Sequence, residues 1–326
     1  MHLGGFDALE GRIAALTRAN RVPGLSIAVV GADGERWQRG FGVTDLSSGI
    51  PVGARTPYLW FSMTKIVTAT AVLRLAGTGA LHLDAPVTDY LPTFARVVQP
   101  RPVTVRHLLS HSSGLANPLP IRWVRPADAP APDQAAFVER LLARHRRLAF
   151  APGERARYSN LGYLVLGQIV AAVAGEPFET HLRTHVLGAL GMAQTGFSYA
   201  DVGDEEPATG YQRLPAALTP LLRAILPAGI VAGRQGRYVA YKPFHVLGAA
   251  YGGLVGGVAD AARLAMLHLN DGVVDGMRLL PAGLGIVIMG NTTRYDHEAI
   301  LAAVIRSADR RSLPPGWPPA RETRRR

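Results

Sequence analysis

The chain has 326 residues, 48% of them hydrophobic and 18% charged, which is the balance of a folded globular protein with a large core and not of a disordered one. Its formal net charge of +11 says little about partners, because residues 306–326 hold seven arginines against Asp309 and Glu322. The remaining +6 is spread with no basic stripe, so no nucleic-acid partner is expected. The absence of cysteine excludes disulfides, thiolate catalysis and cysteine-ligated zinc or iron–sulfur centres.

Residues 1–20 read as an amphipathic helix without an apolar stretch of signal-peptide length, so the expected location is cytoplasmic. Two β-rich runs, 24–30 and 35–43, flank the turn residues 31–34 and predict a hairpin. Residues 62–77 predict a helix whose apolar face carries Ile66, Ala69, Val72 and Leu73, ended by Gly77-Thr78-Gly79. A short helix follows over 104–115, closed by Gly114, and then a Pro/Ala-rich loop over 125–133. A helix over 134–148 puts Arg140, Arg144 and Arg147 on one solvated face.

Asn160 opens a helix over 161–175 with Gly175 as its stop. Residues 214–233 are apolar, but prolines break them and Arg223 interrupts them. They read as a buried loop–helix rather than a transmembrane span or a lipid-touching lid. The glycine-rich run 248–260 lacks Gly-Lys-Ser/Thr, so it reads as a tight turn with crowded backbone and not as a phosphate loop. A helix over 258–272, a buried strand over 283–291, a closing helix over 294–308 and a disordered Pro/Arg tail complete the chain. Strands at both ends and helices between them predict an α/β fold. Its sheet part spans about 1–85 and 250–307, the inserted helical subdomain about 86–249, and the tail 308–326.

The chemistry-bearing residues are few. Lysine occurs only twice, as Lys65 and Lys242, among 35 basic residues. Ser62 and Lys65 stand three apart at the mouth of the helix, which puts both side chains on one face. A serine hydroxyl needs a base, and a lysine buried beneath neighbours such as Trp60 and Phe61 has its pKa lowered until it can accept a proton near neutrality. The helix N-terminus adds backbone N–H donors where an oxyanion would develop. Tyr158 and Asn160 form a Tyr-x-Asn just before a second helix. A phenol can pass protons between nucleophile and leaving group, while Asn160 either orients an acyl substrate or simply caps its helix.

Ser-x-x-Lys followed about ninety residues later by Tyr-x-Asn resembles the serine beta-lactamase-like hydrolases. That family includes class C beta-lactamases, D-alanyl-D-alanine carboxypeptidases and related serine esterases. Connecting segments such as "HLDAPVTDYLP", "VTVRHLLSHSSGL" and "APGERARYSNLGYLVLGQIV" extend the resemblance over residues 8–307. It implies a penicillin-binding-protein-like fold, with an antiparallel sheet flanked by helices and a helical insertion. It also implies Ser62 as the acylated nucleophile, Lys65 as its activator, Tyr158 as the proton shuttle and Asn160 as a contact to the substrate amide. His111 and Ser113 fall in a stretch that looks structural in such proteins. The resemblance further implies a reaction that needs no metal and no cofactor, on a small ester, amide or beta-lactam substrate.

One departure stands out. The family's third motif, Lys-Thr-Gly or His-x-Gly on a strand that also supplies an oxyanion N–H, has no match in 271–285, "DGVVDGMRLLPAGLG". Neither Lys242, His268 nor His297 precedes x-Gly in the right place. This leaves a second expectation open, a catalytically impaired relative that works as a binding or scaffold protein.

Overall fold

In the computed structural model the described residues are 4–31, 34–270 and 284–290. The third-motif segment 271–283, the closing helix expected at 294–308 and the tail lie outside them. Helix α1 spans Gly4–Asn20, and the expected hairpin is present as β1 (Gly24–Gly31) and β2 (Gly34–Gly42). A two-residue strand β3 (Tyr58–Leu59) leads through a 3₁₀ turn, Phe61–Met63, into α2 (Thr64–Gly77). Then come α3 (Val87–Tyr90), α4 (Val105–Leu109), β4 (Val124–Pro126), α5 (Gln134–Arg144), α6 (Asn160–Ala174) and α7 (Phe178–Leu182). They are followed by β5 (Thr195–Gly196), β6 (Gly210–Arg213), α8 (Thr219–Ile225), β7 (Val231–Gln235), β8 (Tyr238–Tyr241) and β9 (Phe244–Val246). Last are α9 (Ala249–Gly252), β10 (Val255–Gly256), α10 (Val258–Leu269) and β11 (Leu284–Gly290).

The sheet joins the two ends of the described chain. Its order is β11-β1-β2, antiparallel throughout, with Ile27 opposite both Arg39 and Ile288. Strand β1 is buried at every position because both of its faces are covered. Leu25, Ile27 and Val29 point to a small core with Leu9 and Ile13 of α1 and with Trp37 and Phe41 of β2. Ala28 and Val30, on the opposite face by the period-2 rule, join the main core with Val258, Ala261 and Ala262 of α10. Each fully buried Leu, Ile or Val among them contributes about 1.5–3 kcal/mol, so the three layers of α1, sheet and α10 hold the central strand firmly. The large core continues into α6, whose residues from Asn160 to Gly167 are all buried.

Several elements depart from the sequence reading, each for a physical reason. The buried side of α2 is Thr64, Lys65, Val67, Thr68, Ala71 and Val72, whereas Ile66 and Leu73 are each 44% exposed. Counting apolar residues misplaced this face because its polar members are hydrogen-bonded: Thr68 Oγ1 donates to Ala250 O at 2.7 Å. Helix α5 ends at Arg144, so Arg147 lies beyond it. Helix α4 is only five residues long, opened by a capping box between Thr104 and His107. Residues 214–233 lie mostly at the surface rather than buried: Thr219 and Ile230 are buried, but Leu218, Leu221 and Ile225 stand exposed around α8. Among the described residues no single helix is long and apolar enough to cross a membrane.

Gly114 closes the loop after α4 with φ +77°, and a Cβ there would meet Phe150 O at 2.3 Å. The left-handed backbone alone costs a non-glycine residue about 1–2 kcal/mol, and the clash with a carbonyl adds to it. Gly114→Ala is expected to lower Tm by several degrees in thermal denaturation; an unchanged Tm would show that the loop yields freely.

Candidate active site

Strand β3 pairs with β10, Leu59 opposite Val255 and Tyr58 opposite Gly256. This pairing delivers the chain to Ser62. Trp60 N–H donates to Leu254 O at 2.8 Å, its indole Nε1 donates to Gly256 O at 3.1 Å, and Leu254 N–H returns a bond to Thr64 Oγ1 at 3.2 Å. Between these anchors Phe61 takes φ +45°, an uncommon conformation for a residue with a side chain. Such local strain persists only where surrounding structure over-determines it. It leaves Ser62 exposed in the 3₁₀ turn just ahead of α2.

Two polar groups converge on the serine. Lys65 Nζ lies 3.2 Å from Ser62 Oγ, and the Tyr158 hydroxyl donates to the same oxygen at 2.6 Å. Lys65 also donates to Tyr251 O at 2.8 Å. Its ammonium sits 4.9, 5.6 and 5.1 Å from the ring centroids of Tyr158, Tyr163 and Tyr251. Three aromatic rings, rather than the expected pair Trp60 and Phe61, therefore cover the lysine; Phe61 is 49% exposed. Burial lowers the Lys65 pKa from its ordinary 10.5 to about 7, and among the described residues no carboxylate bonds it to hold the proton on. Burial likewise raises the Tyr163 and Tyr251 phenols, which keeps these two neutral walls of the cage.

The second motif is positioned by the loop that follows α4. Ser159, not Asn160, is the N-cap of α6: its Oγ accepts from Gly162 N–H at 3.1 Å. Asn160 is the first helical residue. Its backbone N–H donates to Asn117 Oδ1 at 3.0 Å, while its own Oδ1 is buried without a hydrogen-bond partner among the described residues. The capping reading of Asn160 is thereby corrected, because a neighbouring serine already does that work. Strained His111, at φ +57°, accepts from Ser159 N–H on Nδ1 at 3.2 Å. Its ring lies 4.6 Å from that of Tyr158 and 5.0 Å from that of Tyr163. Burial, and then the nearby Lys65 charge, push its pKa down, so the imidazole stays neutral and can accept that bond.

Ser62, Lys65 and Tyr158 thus meet at one oxygen, while Asn160 stands two residues beyond Tyr158 at the start of α6, its side chain bonded to none of the three among the described residues. Sequence reading missed the backbone carbonyl of Tyr251, the ring of Tyr163 and the Asn117 amide, none of which carries a local pattern. Of the two residues expected to be structural, Ser113 is buried, its Oγ accepting from Leu115 N–H at 3.3 Å, and His111 holds Ser159 while its ring abuts that of Tyr158. The glycine-rich run behaves as expected: Gly248 has φ +106°, and a Cβ there would meet Leu164 Cδ2 at 2.3 Å.

A model of the family described as Beta-lactamase matches residues 9–305. The chain belongs to the beta-lactamase family. Esterase EstB of Burkholderia gladioli is 32% identical over 304 residues, covering 84% of this chain and 74% of that protein. Penicillin-binding protein 4 of Amycolatopsis lactamdurans is 30% identical, over 83% of this chain but 66% of its own length. The chain spans still less of other relatives, 38% of protein flp of Staphylococcus aureus for instance. Among solved structures, D-amino acid amidase from Ochrobactrum anthropi, complexed with L-phenylalanine, superposes with a TM-score of 0.73 at 19% identity, covering 92% of this chain and 98% of that one. The octameric penicillin-binding protein homologue from Pyrococcus abyssi gives 0.70 at 23%, covering 94% and 77%. At these identities the two likenesses speak for the fold, which is the beta-lactamase and penicillin-binding-protein fold expected from the sequence. Within that fold the described sheet has β11 at its edge, bonded to β1 alone among the described residues.

Proposed function

We propose that this beta-lactamase family member is a serine hydrolase that forms an acyl-enzyme on Ser62 from a small ester or amide. The observation that carries the proposal is the convergence of the Tyr158 hydroxyl and a near-neutral-pKa lysine on one exposed serine oxygen. Ser62 Oγ attacks the carbonyl carbon while neutral Lys65 takes its proton. The Ser62 N–H, near the helix start, donates to the oxyanion of the tetrahedral intermediate. As this collapses, Tyr158 gives a proton to the departing alkoxide or amine and recovers one from Lys65. Water then attacks the Ser62 ester by the reverse relay, which restores the serine and releases the acid. The unpartnered Asn160 Oδ1 suits an N–H of an amide-bearing substrate, since a buried acceptor left empty costs about 1–3 kcal/mol.

An ester is the favoured substrate class. The cited relative at 32% identity, covered over 74% of its length, is an esterase, and the residue before Ser62 opens an apolar wall, with Phe61 6.2 Å from Phe244 and Phe244 6.3 Å from Tyr241. Such a wall takes an apolar acyl or alcohol group. The missing Lys/His-x-Gly motif favours the second reading, an acylable but impaired relative used for binding.

The test is intact-protein mass after exposure to a fluorophosphonate or a penicillin. One adduct on Ser62, abolished in Ser62→Ala, is the expected result. An adduct on another serine with Ser62 untouched would overturn the assignment.

A further inference from the structure

Away from the serine, three metal-capable side chains meet where α6 turns into α7, a bend of 79°. Glu176 Oε1 lies 3.0 Å from His181 Nδ1 and 3.5 Å from His185 Nε2. The ligand atoms of the three residues are all within 4.8 Å of one another. Two donors bound at about 2.0–2.1 Å to a tetrahedral ion stand about 3.3–3.4 Å apart, so two edges of this triangle already have nearly the required length. His181 and His185 are four apart and share a helical face; their rings lie 4.7 Å apart. His185 sits in a π-helical turn, Arg183–Leu187, closed by Gly188 N–H to Arg183 O at 2.9 Å. Such turns recur at functional sites.

We propose that Glu176, His181 and His185 bind one divalent transition-metal ion of the zinc class and so tie the α6–α7 elbow. Two imidazoles and one carboxylate are a borderline donor set. It suits zinc and its neighbours, whereas magnesium and calcium require oxygen ligands. Exposure grades across the triad in the manner of a site with one open position: the side chain of His181 is 8% exposed, that of Glu176 29% and that of His185 50%. Water fills the fourth place from the His185 side. Pro177, immediately after Glu176, is the N-cap of α7, so the carboxylate belongs to the connection and both histidines to the helical run beyond it. An ion there ties the connection after α6 to the helical run beyond it, adding to the Glu176–His181 hydrogen bond that already spans the joint. The site shares no residue with the Ser62 centre, and its role is structural; the acyl-transfer steps proceed without it. The family resemblance implies a reaction without metal and is silent on Glu-x4-His-x3-His away from the serine.

The test uses the full chain without a histidine tag, stripped with a chelator and dialysed. Titration with Co2+ is expected to give the visible absorption of a four-coordinate ion, saturating at one equivalent and displaced by Zn2+. Stoichiometric Zn2+ is expected to raise Tm by several degrees, because a ligand that binds only the native state stabilises it, while Mg2+ leaves Tm unchanged. His185→Gln alters an exposed side chain and is expected to weaken Co2+ binding by at least about 10–100-fold, the loss seen even for outer-shell partners of metal sites. Its Tm without metal and its fluorophosphonate labelling at Ser62 should match the parent. Glu176→Gln should weaken binding similarly. Absence of a one-equivalent Co2+ spectrum would overturn the site. So would a spectrum and Tm shift that persist undiminished in both variants, or an equal response to Mg2+; the triad would then be an ordinary hydrogen-bonded helix start.

Discussion

Lys65→Ala is expected to slow acylation of Ser62 by at least about 100-fold, the lower end of what a positioned acid–base group supplies. Lys65→Arg should be no better, because a guanidinium remains protonated and cannot take the serine proton. The pH dependence follows from the same burial. With the amine at about 7, acylation with a neutral probe should rise with pH through that value as the fraction of neutral lysine grows. In Lys65→Ala the rising limb near 7 should vanish. Stability moves in the same direction. In the unfolded chain the lysine keeps its ordinary 10.5, so between about 7 and 10.5 the unfolded state binds the extra proton. Raising the pH through this window therefore favours the folded state. The penalty of burying the ammonium is fully present below about 7, and Lys65→Met should remove this pH-linked contribution. Stopped-flow labelling across pH, with parallel denaturant melts, checks both. A near-normal rate in Lys65→Arg would show that Lys65 contributes only charge or packing.

What was legible in the sequence was whatever carries a local signature. The hairpin of β1 and β2 follows from β-rich runs around a turn, and α6 from an apolar run stopped by Gly175, whose φ of +69° is that of a C-terminal glycine. The pair Ser62 and Lys65 was visible as a spacing, and Tyr158 with Asn160 as another. Their mutual approach was not deducible from either alone. It depends on β3 pairing with β10 about two hundred residues away, and on the 110–117 loop holding the start of α6 through His111 and Asn117. The misjudged face of α2 has the same origin. Lys65 and Thr68 are buried because carbonyls of α9 receive their hydrogen bonds, and no hydropathy pattern encodes a distant carbonyl. The surface position of Leu218, Leu221 and Ile225 was missed for the opposite reason: apolar composition was read as burial, which it only favours.

Turnover is the second place where a large effect is expected. One oxyanion donor is worth about 10²–10³ in rate, roughly 2.7–4 kcal/mol, and the segment that would bring the second donor holds no Lys/His-x-Gly. A fluorophosphonate needs little help at its transition state, so labelling of Ser62 should proceed to one equivalent. Hydrolysis of p-nitrophenyl esters or nitrocefin demands the full oxyanion site twice, in acylation and again in deacylation. It should run several hundred-fold below a relative that carries the motif. Inserting a His-x-Gly hairpin between Leu280 and Gly283 should raise that rate, with Ser62→Ala in the same background as the blank. The insertion also distinguishes the two readings of function. A gain in turnover that depends on Ser62 means that the nucleophile, base and shuttle are competent and lack only a donor. If the parent already turns over at ordinary enzymatic rates, another backbone segment supplies the second N–H, and the binding-protein reading falls with the premise on which it stands.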